Sequence, residues 1–240
     1  MSILITICAR GGSKGIPGKN IKQVNGIPLM AYSIKCAKKF KEKYPDSDIV
    51  LSTDSLEIKK VAQQYGLYTD YMRPQELGGD TVGKIDVLKH VFDFCEKQNN
   101  KQYDFLLDLD VTAPLRNLED LEKALTIISE NQNAINLFSV SLPHRNPYFN
   151  MVEEGTDGYY KLVKQSGQLL LTRQSAPKVY DINASFYYYK RKFFELGYKG
   201  AITDRTLIYE IPHICFDLDH PMDYEYLSFL ITQNKLDFEL

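Results

Sequence analysis

The sequence predicts an α/β protein built on a doubly wound, mostly parallel sheet. Strand-length apolar runs alternate with segments of helical apolar period over most of the chain, the rhythm of successive βαβ units with right-handed crossovers. The first apolar run, Ile3–Cys8, opens directly into a glycine-rich cationic loop, Ala9–Asn20. Open α/β sheets bind ligands at the carboxyl ends of their strands, so this loop stands where a ligand is expected. After Leu142 the rhythm breaks, and residues 143–171 form an excursion with the pattern of a small β-hairpin.

The elements follow in order. Ile3–Cys8 is a buried strand. Residues 28–37 have helical apolar spacing, with Pro28 placed to start the helix. Asp48–Leu51 is a short strand ending in Ser52-Thr53-Asp54. Ser55 caps a helix over residues 56–65 that Gly66 ends. A strand is expected over 67–71 and a helix over 83–98. Tyr103–Leu109 is the most apolar strand, interrupted by Asp108. Asn117 caps a helix over 118–131, and 134–140 is a strand. Within the excursion, 148–153 and 158–163 are strand-like pieces around the turn Glu154–Asp157; they are too small to fold alone. Residues 184–189 and 206–211 are strands, and 222–232 is a closing helix. With 240 residues, 44% of them hydrophobic, the chain is expected to be one domain over 1–240.

Composition excludes several classes. The net charge of −2 offers no basic field for nucleic acid. No run approaches the ~20 apolar residues of a membrane span, and the start of the chain lacks the pattern of a signal peptide. A cytoplasmic location is expected. Cys8, Cys36, Cys95 and Cys215 form no C-x-x-C pair, and the four histidines show no metal spacing. No G-x-S-x-G or other nucleophile signature is present, so catalysis by positioning and charge is expected.

Four polar clusters remain. In Ala9–Asn20, four glycines let backbone N–H groups approach a polyphosphate, and Arg10, Lys14 and Lys19 surround its oxygens with charge. The loop is neither a P-loop nor a G-x-G-x-x-G turn. Phe216-Asp217-Leu218-Asp219 puts two carboxylates at spacing two; at a strand end both would point one way and hold a hard divalent cation. Asp108 to Arg116 ends the most apolar strand, with Asp108 either an internal contact or a ligand group and Arg116 either a surface cation or functional. Arg173-Gln174 and Asp181-Ile182-Asn183-Ala184 suit a hydroxylated, carboxylate-bearing ligand.

Taken together these residues resemble the CMP-sialic acid synthetases, the acylneuraminate cytidylyltransferases. The match includes Ala9-Arg10-x-x-Ser13-Lys14-Gly15-x-Pro17-x-Lys19-Asn20, Ser52-Thr53-Asp54, Arg73-Pro74-x-x-Leu77 with Asp80-Thr81, Ala113-Pro114-Leu115-Arg116, Arg173-Gln174, Asn183 and Asp217-x-Asp219. The resemblance implies a Rossmann-like, nucleotide-diphospho-sugar transferase-like fold. It implies that the anomeric hydroxyl of a nine-carbon 2-keto sugar acid attacks the α-phosphate of CTP and releases pyrophosphate. Arg10, Ser13, Lys14 and Lys19 would hold the triphosphate, with Asn20 and Arg73 on the base and ribose side. Asp217 and Asp219 would hold Mg²⁺, and Lys19, Arg10 and Asp217 would carry catalysis. Asp110, Thr112, Arg173, Gln174 and Asn183 would line the sugar side. The hairpin excursion would reach the partner's site in a homodimer.

Two departures touch the sugar-facing region. Asp110 stands where many sialic acid members carry glutamine, and Asp181-Ile182-Asn183-Ala184 stands where they carry Arg-Pro-Asn-Gly. Together with Arg145–Asn150 these features resemble the legionaminic acid branch. A nucleotide-sugar glycosyltransferase, which also uses D-x-D, and a nucleotide-binding module without catalysis remain alternative readings.

Overall fold

The computed structural model describes residues 1–12, 16–79, 82–167 and 170–240. In chain order the elements are β1 (Ile3–Cys8), β2 (Gln23–Val24), β3 (Ile27–Pro28), α1 (Leu29–Lys43), β4 (Ser47–Ser52), α2 (Leu56–Gln64), α3 (Lys84–Asn99), β5 (Phe105–Asp110), α4 (Leu118–Glu130), β6 (Asn136–Ser141), β7 (Val152–Glu154), β8 (Tyr160–Leu162), β9 (Asp181–Lys190), α5 (Arg191–Glu195), β10 (Thr206–Glu210) and α6 (Pro221–Thr232). The main sheet runs β10-β6-β9-β5-β1-β4. All its pairs are parallel except those of β9, which runs against both β5 and β6.

Alternation along β1 explains the two covered faces. Ile3, Ile5 and Ile7 pack with α1 and α4, whereas Leu4 packs with Leu88, Val91 and Phe92 of α3. The caps expected at Ser55 and Asn117 are present. Ser55 Oγ accepts from the Ile58 N–H, and Asn117 forms a reciprocal capping box with Asp120.

Two expected strands are absent. Residues 67–71 bury Leu67 and Tyr71 but pair with no strand; Tyr68 between them is 74% exposed, and Tyr71 anchors the segment through a 2.9 Å hydrogen bond to His90 Nδ1. Burial of two side chains needs no ladder. Phe216–Asp219 is not a strand end either. Ile211 N–H still bonds to Val140 O, but Pro212 has no N–H to continue, and the chain leaves the sheet. The segment is instead docked through Leu218 N–H to Thr112 O at 2.9 Å. The short β2–β3 ribbon and α5 were not expected.

Arg116 is 1% exposed and structural. Its guanidinium donates to the carbonyls of Ala113, Ser185 and Asp110 and to Ser33 Oγ, tying the β5 end to β9 and α1. Ala184 has φ +58°, the left-handed region that favours glycine, at the place where β9 shifts register against β6. Asn183 sits beside it, buried; its Oδ1 accepts from Ser139 Oγ at 2.6 Å and its Nδ2 donates to Ser141 Oγ at 2.9 Å.

On the other side of α4, His213 is sandwiched between Asp120 Oδ2 (2.9 Å from Nε2) and Ile214 O (3.1 Å from Nδ1), and stacks on Phe238. Burial opposes its charge, but these two acceptors and Asp237 outweigh it, so its pKa is raised above 6.5. A raised folded pKa means this contribution is complete below the unfolded value and is lost as pH climbs through the folded one. The unfolding midpoint is therefore expected to fall as pH rises above about 6.5, and less so in His213→Phe; parallel pH–midpoint curves for the two proteins would contradict this.

Candidate active site

Register builds the site. Cys8 at the end of β1 pairs with Ser52 of β4 on one side and Asp110 of β5 on the other, so three strand ends form one rim. The loops leaving it carry Ala9–Asn20, Thr53–Ser55 and Val111–Asn117. Asp54 ties the first two together and abuts Gly78. Its Oδ1 accepts from Gly11 N–H at 2.8 Å, and its Oδ2 lies where a Cβ on Gly78 would come within 2.8 Å, a contact only glycine avoids. A cavity of about 290 Å³ opens at this rim, lined among others by Arg10, Arg73, Gly78, Gly79, Lys84 and Asp110.

The cationic loop is arranged as follows. Gly18 takes φ +63° to turn the chain into Lys19–Ile21. Asn20 is buried and its Nδ2 donates to Arg10 O at 2.9 Å, so it holds the loop's backbone. Arg73 is buried with Nε on Ser52 Oγ (3.1 Å) and Nη2 on Ser52 O (2.8 Å). Lys19 reaches across to donate to Leu218 O. Ser13, Lys14, Asp80 and Thr81 lie outside the described residues.

Leu218 is thus held from both sides, by Thr112 O on its N–H and by Lys19 on its carbonyl. Asp217 and Asp219 flank it. Asp217 is partly buried, and its Oδ1 has no partner among the described residues. Burial, with Asp110 and Asp219 nearby, pushes its pKa above the ordinary carboxylate value, against the pull of Thr112 and Lys19. Asp219 is exposed, with its N–H on Asp223 Oδ2. The pair fits a hard divalent cation: an orphaned carboxylate oxygen lies near a second carboxylate, with the Lys19 ammonium close by. Mg²⁺ is commonly held by one or two carboxylates, its other positions taken by water and substrate phosphate, so two suffice.

The sugar-side candidates separate. Asp110 and Thr112 stand at the rim: Asp110 Oδ1 accepts from Thr112 N (2.9 Å) and Oγ1 (2.8 Å). Asn183 is near the rim, with its amide engaged by serines as above. Arg173 and Gln174 are exposed on a turn just after the excursion, where Arg173 donates to Pro143 O.

Sequence reasoning missed Lys84, the first residue of α3. Its Nζ lies 2.8 Å from Asp108 Oδ2 and 2.7 Å from Asp110 Oδ2, and 5.1 Å over the Tyr187 ring. Burial would lift the Asp110 pKa, but Lys84 and Thr112 hold it down at about 2. The signal was indirect: Asp108 on a fully apolar strand demands a cation, and the sequence does not say which.

An α/β rim with a cationic glycine loop facing two carboxylates defines a nucleotide-using transferase. The comparisons with known proteins sharpen the class. The family model described as Cytidylyltransferase matches residues 4–239. A Campylobacter coli protein named post-translational flagellin modification protein B is 41% identical, over 98% of this chain and 97% of its own length. The CMP-N,N'-diacetyllegionaminic acid synthase of Campylobacter jejuni is 40% identical, over 98% and 97%. Among solved structures, a CMP:2-keto-3-deoxy-manno-octonic acid synthetase complexed with CTP superposes with a TM-score of 0.67 at 16% identity, covering 98% of this chain and 100% of that one; at that identity it shows the fold alone. The chain belongs to the cytidylyltransferase family and is a nucleotidyltransferase. Membership sets aside the glycosyltransferase reading. No helix among the described residues is long and apolar enough to cross a membrane.

Proposed function

We propose that this chain transfers the cytidylyl group of CTP to the anomeric hydroxyl of a nine-carbon 2-keto sugar acid of the legionaminic type, releasing pyrophosphate. The carrying observation is that Lys19 bonds to the carbonyl between Asp217 and Asp219, so that the cationic loop and the paired carboxylates face each other across one rim. Such a gap suits a triphosphate attacked at its α-phosphorus, where positioning and charge neutralisation supply most of the acceleration. The 40% identity to the legionaminic acid synthase supports the choice of sugar class.

Arg10, Ser13, Lys14 and Lys19 hold the phosphates, with Arg73 at the nucleotide's base and ribose side and Asn20 fixing the loop. Asp217 and Asp219 hold Mg²⁺, which when bound polarises the phosphate and offsets charge on the departing pyrophosphate. Asp110 and Thr112 face the acceptor, with Arg173, Gln174 and Asn183 on the same side. The chain works as one catalytic domain and as a homodimer in the cytoplasm. The β7–β8 hairpin supports the dimer: Val152 is 60%, Tyr159 73%, Tyr160 65% and Leu171 79% exposed, an apolar surface that a lone two-stranded ribbon cannot bury.

The test is pyrophosphate release from CTP and Mg²⁺ with N,N'-diacetyllegionaminic, pseudaminic or N-acetylneuraminic acid supplied separately. The legionaminic-type acid is expected to give the highest kcat/KM. No pyrophosphate with any of the three would overturn the proposal.

A further inference from the structure

We infer that Lys84 is a specificity-determining positioning residue for the sugar acceptor, acting by bridging Asp108 and Asp110 so that an ammonium N–H and a carboxylate lone pair stand side by side at the rim. The inference rests on the acceptor assignment proposed above and extends it to a residue outside every motif of the loop and the carboxylate pair.

The ammonium has three N–H donors. One is donated to Asp110 Oδ2 at 2.7 Å, while Asp108 Oδ2 lies 2.8 Å from Nζ as an ion pair without hydrogen-bond geometry. The side chain is 37% exposed and lines the cavity, so the ammonium can be reached from it with donors to spare. Asp108 is fully buried and spends its other oxygen on Thr6 Oγ1 at 2.8 Å, which makes it an anchor and not a ligand group. Asp110 is different. Its Oδ1 takes two hydrogen bonds from Thr112, and its Oδ2 takes one from Lys84, leaving Oδ2 one lone pair to offer.

Charge decides what this pair can read. Two carboxylates and one ammonium sum to one net negative charge. That repels a phosphate or a sugar carboxylate and suits a neutral group that both donates and accepts, a hydroxyl or an acylamido substituent. Position decides which substrate carries it. Thr112, which holds Asp110, also accepts the Leu218 N–H on its carbonyl at 2.9 Å, next in the chain to Asp217. Asp110 is therefore near the carboxylate that faces the α-phosphate, and the acceptor must lie against that phosphate to react. The arginines of the same cavity, Arg10 and Arg73, serve the nucleotide.

The experiment is steady-state kinetics and CTP binding on Lys84→Gln, Asp110→Asn and the double variant, with thermal unfolding of each. Because Lys84→Gln strands the buried Asp108, Lys84→Gln with Asp108→Asn is made in parallel to keep a folded protein in hand. We expect KM for the sugar to rise about tenfold or more with the Kd for CTP changed less than about threefold. We also expect the Lys84/Asp110 double variant to be no worse than the poorer single one, because the two act as a unit. A loss of CTP affinity with sugar KM unchanged would place Lys84 on the nucleotide and overturn the inference. Parallel losses in both, tracking a lower unfolding midpoint, would reduce it to a brace and also overturn it. Wild-type protein that binds CTP but turns over no nonulosonic acid would instead overturn the parent assignment, and this one with it.

Discussion

Lys19→Ala is expected to lower kcat for pyrophosphate release by ~10²–10³-fold, the range seen when one preorganised donor to a developing oxyanion is removed. The loss arises because Lys19 is the cation that bridges the loop to the opposite wall, through its bond to Leu218 O. Stability should change little. A single, partly exposed hydrogen bond to a carbonyl is worth about 1 kcal/mol, and no other element depends on the side chain. The measurement is steady-state pyrophosphate release alongside thermal unfolding. Near-normal turnover in a folded Lys19→Ala protein would remove Lys19 from the phosphate site.

The second large effect is Asp217→Asn, and here activity and stability should move in opposite directions. The substitution keeps the shape and removes the charge. Activity at fixed Mg²⁺ should fall at least ~10²-fold, and half-saturation by Mg²⁺ should move to higher concentration, because one of the two proposed carboxylate ligands has become a neutral amide. In the absence of metal the variant should unfold at the same or a higher temperature at pH 7. The sign follows from the raised pKa: burial and two neighbouring carboxylates disfavour the ionised form in the folded state, so ionisation at neutral pH costs stability that a neutral side chain does not. An unchanged Mg²⁺ titration would rule Asp217 out as a ligand, and a marked loss of metal-free stability would show that its carboxylate is a structural partner instead.

The sheet was legible because its strands are short apolar runs with punctuation at both ends. Ile3–Cys8 was placed to the residue, and Asn117 and Ser55 announced their helices through hydrogen bonds that are local in sequence. What failed was whatever depended on a distant partner. Residues 67–71 have strand-like composition, but whether a ladder forms depends on an open edge in register. Phe216–Asp219 gained its position from Thr112, more than a hundred residues earlier, after Pro212 had ended the ladder. Arg116 reads as either a surface cation or a functional residue because nothing local reveals that Ser33, Ser185 and two carbonyls converge on it. Lys84 was invisible for the same reason: its meaning lies in Asp108 and Asp110 on β5, more than twenty residues later. Asn183 was read for its amide chemistry, whereas the serines on β6 that occupy that amide belong to the pairing of β9.

The bond from Lys19 to Leu218 spans 199 positions of sequence. During synthesis the loop and three rim strands leave the ribosome long before Asp217 exists. A chain ending between Glu210 and Asp217 would hold all six strands of the main sheet but lack the wall that carries the two carboxylates. In refolding, return of activity should trail the return of helical and sheet signal, because the last wall is hung on the finished sheet by contacts of high sequence separation, which are slow to close.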